Sequence, residues 1–265
     1  MRIVQQYLTR NDCYRAGRTI RPQGVMIHST GANNPSVARY VPGDEEIGRN
    51  TYGNHWNQTN TEYKAKFDKK LNKCAHAFMG RFADGGVGTV QTLPWNRRGW
   101  HCGRGKNGSA NDTHISFEIC EDGLEDASYF EAVYQEAVEL TAYLCKEYGL
   151  NPLASGVVIC HQEGYQRGVA SNHGDVLHWF PKFGKTMDDF RADVARWMEG
   201  VDETVTYEQW KEYMDRYLAE RAELPASMPE HLEDAKAMKL TDGSRPMAFV
   251  TREEAAVMAK AAALK

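Results

Sequence analysis

The residue types best suited to chemistry stand far apart in the chain. His28 closes the apolar run Gly24-Val25-Met26-Ile27, Glu118 lies inside Ile115-Ser116-Phe117-Glu118-Ile119-Cys120, and His161 follows Val157-Val158-Ile159-Cys160, with Asp175 further on in Asn172-His173-Gly174-Asp175. Two imidazoles and a carboxylate hold Zn²⁺ well while leaving a fourth position for water, and a further carboxylate nearby can take that water's proton. That is the makeup of a metal hydrolase. Taken alone, a histidine beside an apolar run is more often an ordinary hydrogen-bonded residue than a ligand, so the weight rests on the combination. His28 and His161 each directly follow apolar residues, so both are expected to emerge from a sheet core at the ends of neighbouring strands, where sites on α/β folds form.

The elements that must position these residues are visible as periodicity. Apolar or alternating segments predict strands at 25–27, 74–79, 90–93, 115–120 and 157–160, and the glycine-rich stretch 84–90 reads as a hairpin turn. Residues 29–35 read as a loop or the start of a helix. The polar stretch 37–73 shows little periodicity and is expected to hold one helix and a long surface excursion. Phe130, Val133, Ala137, Leu140, Leu144 and Cys145 recur at helical spacing and predict a helix over 129–148 that stops at Gly149. A second helix is expected from Thr186 to Met198, with Asp188 and Asp189 in the first turn where the helix dipole favours them. The reading is α/β: a mixed central sheet flanked by helices over residues 1–200, followed by a small all-α module over 201–265. Thr206-x-x-Gln209 and Thr251-x-x-Glu254 read as capping boxes in that module, with a short helix over 230–238 and a turn at 241–246 between them.

Composition narrows the partners. The 265 residues include 32 Lys and Arg against 36 Asp and Glu, a formal net charge of −4, so no broad basic field exists to capture nucleic acid. Apolar runs are too short for membrane insertion, and the first residues lack the apolar block of a secretory signal. The six cysteines are too few and too scattered for a disulfide scaffold and show no zinc-type spacing, so most read as buried reduced thiols.

Taken in order, the segment ending His28-Ser29-Thr30, then Ala75-His76-Ala77-Phe78, Trp100-His101-Cys102-Gly103, Ile115 to Glu118, Cys160-His161 and His173-Gly174-Asp175 resemble the zinc N-acetylmuramoyl-L-alanine amidases, which include the bacteriophage lysozyme-type amidases and the peptidoglycan recognition domain. The resemblance covers residues 20–198. It implies that His28, His161 and Asp175 are zinc ligands, with His173 and then His178 as alternatives for the third. Glu118 falls where some branches carry a general base, while others use a tyrosine at the position of His76. His173 stands where many members have a lysine that steadies the oxyanion, a departure that matters because an imidazole supplies positive charge only when protonated. Val176 likewise replaces the proline that many members place after the third ligand.

The resemblance further implies a peptidoglycan substrate, cut at the amide joining N-acetylmuramic acid to the first alanine of the stem peptide by a zinc-activated water, with Glu118 and His173 catalytic. Arg98, Trp100 and Arg104 sit in a glycine-rich loop able to bind stem-peptide carboxylates and stack on sugar or peptide. His76 and His101 are expected to touch substrate as well. A wall-degrading enzyme made without a signal peptide fits an endolysin released by another route, and the alternative is a peptidoglycan-binding module without catalysis. Residues 240–258 resemble half of an S-layer-homology motif, which suggests wall anchoring, self-association or a packing lid for residues 201–265.

Overall fold

Alternation in the apolar segments does become a sheet, and its edges explain where the site forms. The structure is a computed structural model that describes residues 1–200, 207–223, 225–226 and 229–238, together with residues 241, 244 and 255. In chain order the first unit runs β1 (Ile3–Gln5), α1 (Asp12–Ala16), β2 (Gly24–Asn33), α2 (Asn60–Phe67), β3 (Ala77–Arg81), β4 (Val87–Gln91), β5 (His114–Glu121), α3 (Ala127–Tyr148), β6 (Val158–Cys160), α4 (His161–Gln166) and α5 (Met187–Met198). Among the described residues the sheet has six strands in the order β1-β4-β3-β5-β2-β6. The β3–β4 hairpin is antiparallel and the remaining neighbours are parallel, so the fold is a mixed α/β sheet as the sequence predicts.

Side chains alternate across a strand, so each strand contributes to both faces. Val25 and Ile27 of β2, Ala77 and Met79 of β3, Ile115, Phe117 and Ile119 of β5, and Val158 and Cys160 of β6 pack with Phe130, Val133, Ala137, Leu140 and Leu144 of α3 and with Phe190 and Val194 of α5. The helix α3 forms where its apolar spacing places it. Asp126 caps its start by accepting from the Tyr129 amide, and Gly149 ends it in the left-handed conformation that favours glycine. A second cluster, including Val37, Tyr40, Ile47, Trp56, Phe78 and Cys120, covers part of the opposite face, and a third joins Met26 to Cys102, Ala110, Ile159 and Ala170.

Three expectations change. β2 does not end at His28 but continues to Asn33, because Ser29 still pairs with Ile119 and, after a register irregularity, Asn33 pairs with Glu121. Residues 29–33 lose their apolar pattern where the strand borders an open cleft, so they resemble a loop in sequence. His161 is not the last residue of a strand but the first of α4. Finally, Cys13 and Cys74 form a disulfide, whereas Cys102, Cys120, Cys145 and Cys160 are the buried free thiols expected. The pairing is long-range, spanning 61 residues, which spacing alone cannot indicate.

The second unit, Asp202–Lys265, contains α6 (Tyr207–Ala222) and α7 (Pro229–Ala237). Thr206, the box at Thr251 and most of 239–258 lie outside the described residues. Among the described residues no helix is long and apolar enough to cross a membrane.

Candidate metal centre and its cleft

Register brings the first two site residues together. In the parallel β2–β5 pair His28 stands opposite Glu118, and Phe78 of β3 stands opposite Glu118 on its other side, so His28 and Glu118 share the face turned away from α3. β6 pairs with β2 through Ile27 and Cys160, which delivers His161 beside His28. The turn carrying His161 is braced. The Glu163 carboxylate accepts from the Cys160 amide at 3.1 Å and receives Arg191 of α5, whose guanidinium also donates to the Val158 carbonyl at 3.0 Å.

His28, His161 and Asp175 then meet in a triangle. His28 Nδ1 is 3.1 Å from Asp175 Oδ2 and 3.1 Å from His161 Nδ1, and His161 Nδ1 is 3.4 Å from the same carboxylate oxygen. Tetrahedral zinc bonded at about 2.0–2.1 Å spaces its ligands by about 3.3 Å. The edges fit that spacing, and two imidazole nitrogens facing each other and one carboxylate oxygen form a donor set suited to a cation. These residues could therefore hold zinc. Both histidines are buried, while the Asp175 side chain remains 18 % exposed. Burial works against an ionised Asp175, but the bonds from His161 and His28 outweigh it and hold the carboxyl well below its usual range. Burial lowers the proton affinity of His28, the state a ligand needs.

Of the other candidates for third ligand, His173 flanks the triangle, its ring centre 4.7 Å from that of His161, and His178 lies away from it. His173 is exposed and its Nδ1 lies 3.2 Å from Ser171 Oγ, and His178 pairs with Glu121 at 3.0 Å. Neither joins the triangle. The outer nitrogens of His28 and His161 also have partners, which the sequence does not reveal. His28 Nε2 is 3.0 Å from His101 Nδ1, and His161 Nε2 is 3.4 Å from Ser171 Oγ. Such contacts orient the ring and fix its tautomer. His101 is held in turn by the buried Asn111, whose Oδ1 accepts from the His101 amide at 2.7 Å and whose Nδ2 donates to the Gly103 carbonyl at 2.8 Å. Gly103 has φ +66°, and a Cβ there would lie 2.9 Å from Ser171 Oγ, so the turn between these two partners requires glycine.

A cleft of about 430 Å³ opens over the triangle, lined by Glu118, His173, Trp100, His101, Ser171 and Lys73 among others. Burial, and then the charge of Asp175, push the Glu118 carboxyl well above its ordinary value. Trp100 is 41 % exposed on the rim, with the Arg98 guanidinium 5.3 Å from its ring centre and bonded to Asp112 at 2.6 Å. Arg98 and Trp100 also line a neighbouring cleft of about 440 Å³, beside the Cys13–Cys74 bridge. His76 is not brought to the site cleft. It is fully buried, with Nε2 donating to the Arg97 carbonyl at 2.6 Å and Nδ1 accepting from the Ser116 amide at 3.0 Å, and burial lowers its pKa to about 4. Its place is structural, in contrast to the substrate contact expected. Arg104 is exposed and does not line the site cleft.

Parts of the chain are similar to known proteins. The chain is 38 % identical over 74 residues to the N-acetylmuramoyl-L-alanine amidase CwlA of a Bacillus species, covering 28 % of each, and 42 % identical over 60 residues to the amidase XlyB of Bacillus subtilis (strain 168), covering 23 % of this chain and 19 % of the relative. These matches span well under a third of either relative. The fold resembles that of Staphylococcus aureus hydrolase AmiA, solved in complex with its ligand, with a TM-score of 0.51 at 18 % identity over 75 % of this chain and 83 % of that one. The family model described as N-acetylmuramoyl-L-alanine amidase matches residues 18–175, a span running from before β2 to the third corner of the triangle. More than half of the chain is thus matched, and the chain belongs to the N-acetylmuramoyl-L-alanine amidase family.

Proposed function

We propose that the chain is a peptidoglycan hydrolase of the endolysin type that cleaves the amide between N-acetylmuramic acid and the first alanine of the stem peptide. The observation that carries this reading is the His28–His161–Asp175 triangle facing a cleft that also holds Glu118. Zinc held by these three would supply Lewis acidity and bring the pKa of a water down to about 7. Glu118 takes a proton from the attacking water and returns it to the leaving nitrogen, a task suited to a carboxyl whose proton affinity burial has raised. His173, exposed at the cleft wall, donates a hydrogen bond to the oxygen that gains charge. His101 and Ser171 hold the ligand rings, and Trp100 with Arg98 presents an aromatic and cationic rim to the substrate.

The test is mass analysis of digested peptidoglycan alongside zinc content. Release of intact stem peptides with a new amino terminus on alanine, by protein carrying stoichiometric zinc, is the expected result. Cleavage of glycosidic or interpeptide bonds would overturn the reading. For residues 201–265 we propose attachment to the wall, on the strength of the S-layer-like stretch 240–258, with self-association as the alternative. A fragment 1–200 that sediments with purified walls as fully as the whole chain would remove that role.

A further inference from the structure

Lys73 is the one lysine or arginine among the described residues that line the site cleft, and it lines the neighbouring cleft too, together with Asn72 and Trp100. It therefore stands on the wall that the two clefts share, where a substrate leaving the metal would cross. Its backbone is fixed. The Lys73 carbonyl accepts from the buried Asn11 amide at 3.2 Å, and the next residue is tied to Cys13 by the disulfide. Its side chain is placed as well, with the ammonium 5.0 Å from the centre of the Trp56 ring. That contact orients a cation without neutralising it. Among the described residues no carboxylate lies within ion-pair distance of Lys73, although the molecule pairs many of its other surface cations, among them Arg2, Arg10, Arg81, Arg98 and Arg191. Of the cleft's acidic groups, Asp175 is engaged by the two histidines, and Glu118, half-buried opposite His28, feels the charge of Lys73 without forming an ion pair with it.

We infer that Lys73 is a specificity-determining residue that binds a free carboxylate on the peptide arm of the substrate, as that arm passes from the metal centre over Trp100 into the adjoining cleft. An unpaired ammonium held on a ring at a junction of clefts selects an anion there. The peptide arm bears carboxylates, while the sugar arm next to the scissile bond offers hydroxyl and amide groups that gain less from a point charge. The inference rests on the amidase reading and adds to it a preference between substrates of equal size.

The experiment uses the full chain loaded with zinc and two matched N-acetylmuramoyl peptides, identical except that the second residue carries either a free carboxylate or its carboxamide. Wild type is expected to favour the carboxylate by about fivefold in kcat/KM, mainly through KM, as suits an exposed ion pair. Lys73→Met should bring that ratio to about 1, Lys73→Arg should preserve it, and melting temperatures should match because the residue is exposed. An equal loss on both compounds in Lys73→Met, or a ratio unchanged by it, would overturn the role of Lys73 alone. Wild type that cleaves neither compound would overturn the amidase reading and this inference with it.

Discussion

On the face of the sheet that meets α3 and α5, Val25, Ile27, Ile115 and Phe117 are wholly buried among other apolar side chains. One residue along the same strands, on the other face, stand Met26, His28, Ser116 and Glu118. The first face is uniform, and its contribution grows with buried area. The second is partitioned. His76 and Ser116 are buried and satisfied by each other and by backbone groups, while His28 and Glu118 open to a cleft. A histidine's neighbours, more than its burial, decide its role: His28 and His76 are both almost completely buried, but only His28 faces a second imidazole and a carboxylate.

Substitutions on the two faces should therefore fail differently. His28→Ala or Asp175→Ala should give folded protein that no longer retains zinc, with metal affinity falling by more than about a hundredfold, as read by metal analysis after dialysis. Retention of zinc by Asp175→Ala would break the assignment of the site face. Glu118→Gln should keep its zinc but lose turnover by about 10²–10⁴. Phe117→Ala, one position away and facing α3, should cost about 3–5 kcal/mol in denaturant unfolding while the folded fraction still binds zinc.

Acidity should sharpen the contrast between the histidines. The folded-state pKa of His76 is about 4 against an ordinary 6.5, so between those values the unfolded chain binds a proton that the folded chain does not. The stability contribution is complete above pH 6.5 and is lost as pH falls toward 4, by up to about 3 kcal/mol. In chelator-treated protein, a His76→Gln variant should show a flatter decline in urea-unfolding free energy over that window than wild type. An identical slope would mean that His76 is not held neutral. The smallest effect is expected at His101→Ala, where zinc affinity measured by chelator competition should fall by about 10–100-fold.

Much of this was legible in the sequence, for reasons that differ by residue. Strands β3, β5 and β6 and the helices α3 and α5 lie close to where apolar spacing and caps such as Thr186 and Gly149 place them, whereas β4 begins at Val87, inside the stretch read as a turn. The triangle was legible because three metal-ligating types sit in ordered motifs, and the structure brings His28, His161 and Asp175 together. What escaped depends on contacts between distant segments. Residues 29–33 look like a loop because alternation fades beside a cleft, and His76 looks like a substrate contact because its two hydrogen-bond partners, Arg97 and Ser116, lie far along the chain. His114 is buried, and its Nε2 donates to the Gly156 carbonyl at 2.9 Å, a contact 42 residues along the chain. Lys73 falls in a polar stretch without periodicity, where nothing in composition separates it from Lys69 or Lys70.

The Cys13–Cys74 bridge ties α1 to the segment entering β3, and the loop it closes contains β2, α2 and part of the second apolar cluster. Closing 61 residues into a ring removes freedom from the denatured chain worth about 4 kcal/mol in the loop-entropy model. That stabilisation is conditional on surroundings. Protein prepared with strong thiol reductants should be softer along the wall that carries Lys73 and Trp100, while the buttress of α3 and α5 keeps its firmness, so handling in the laboratory should change which substrates are accepted.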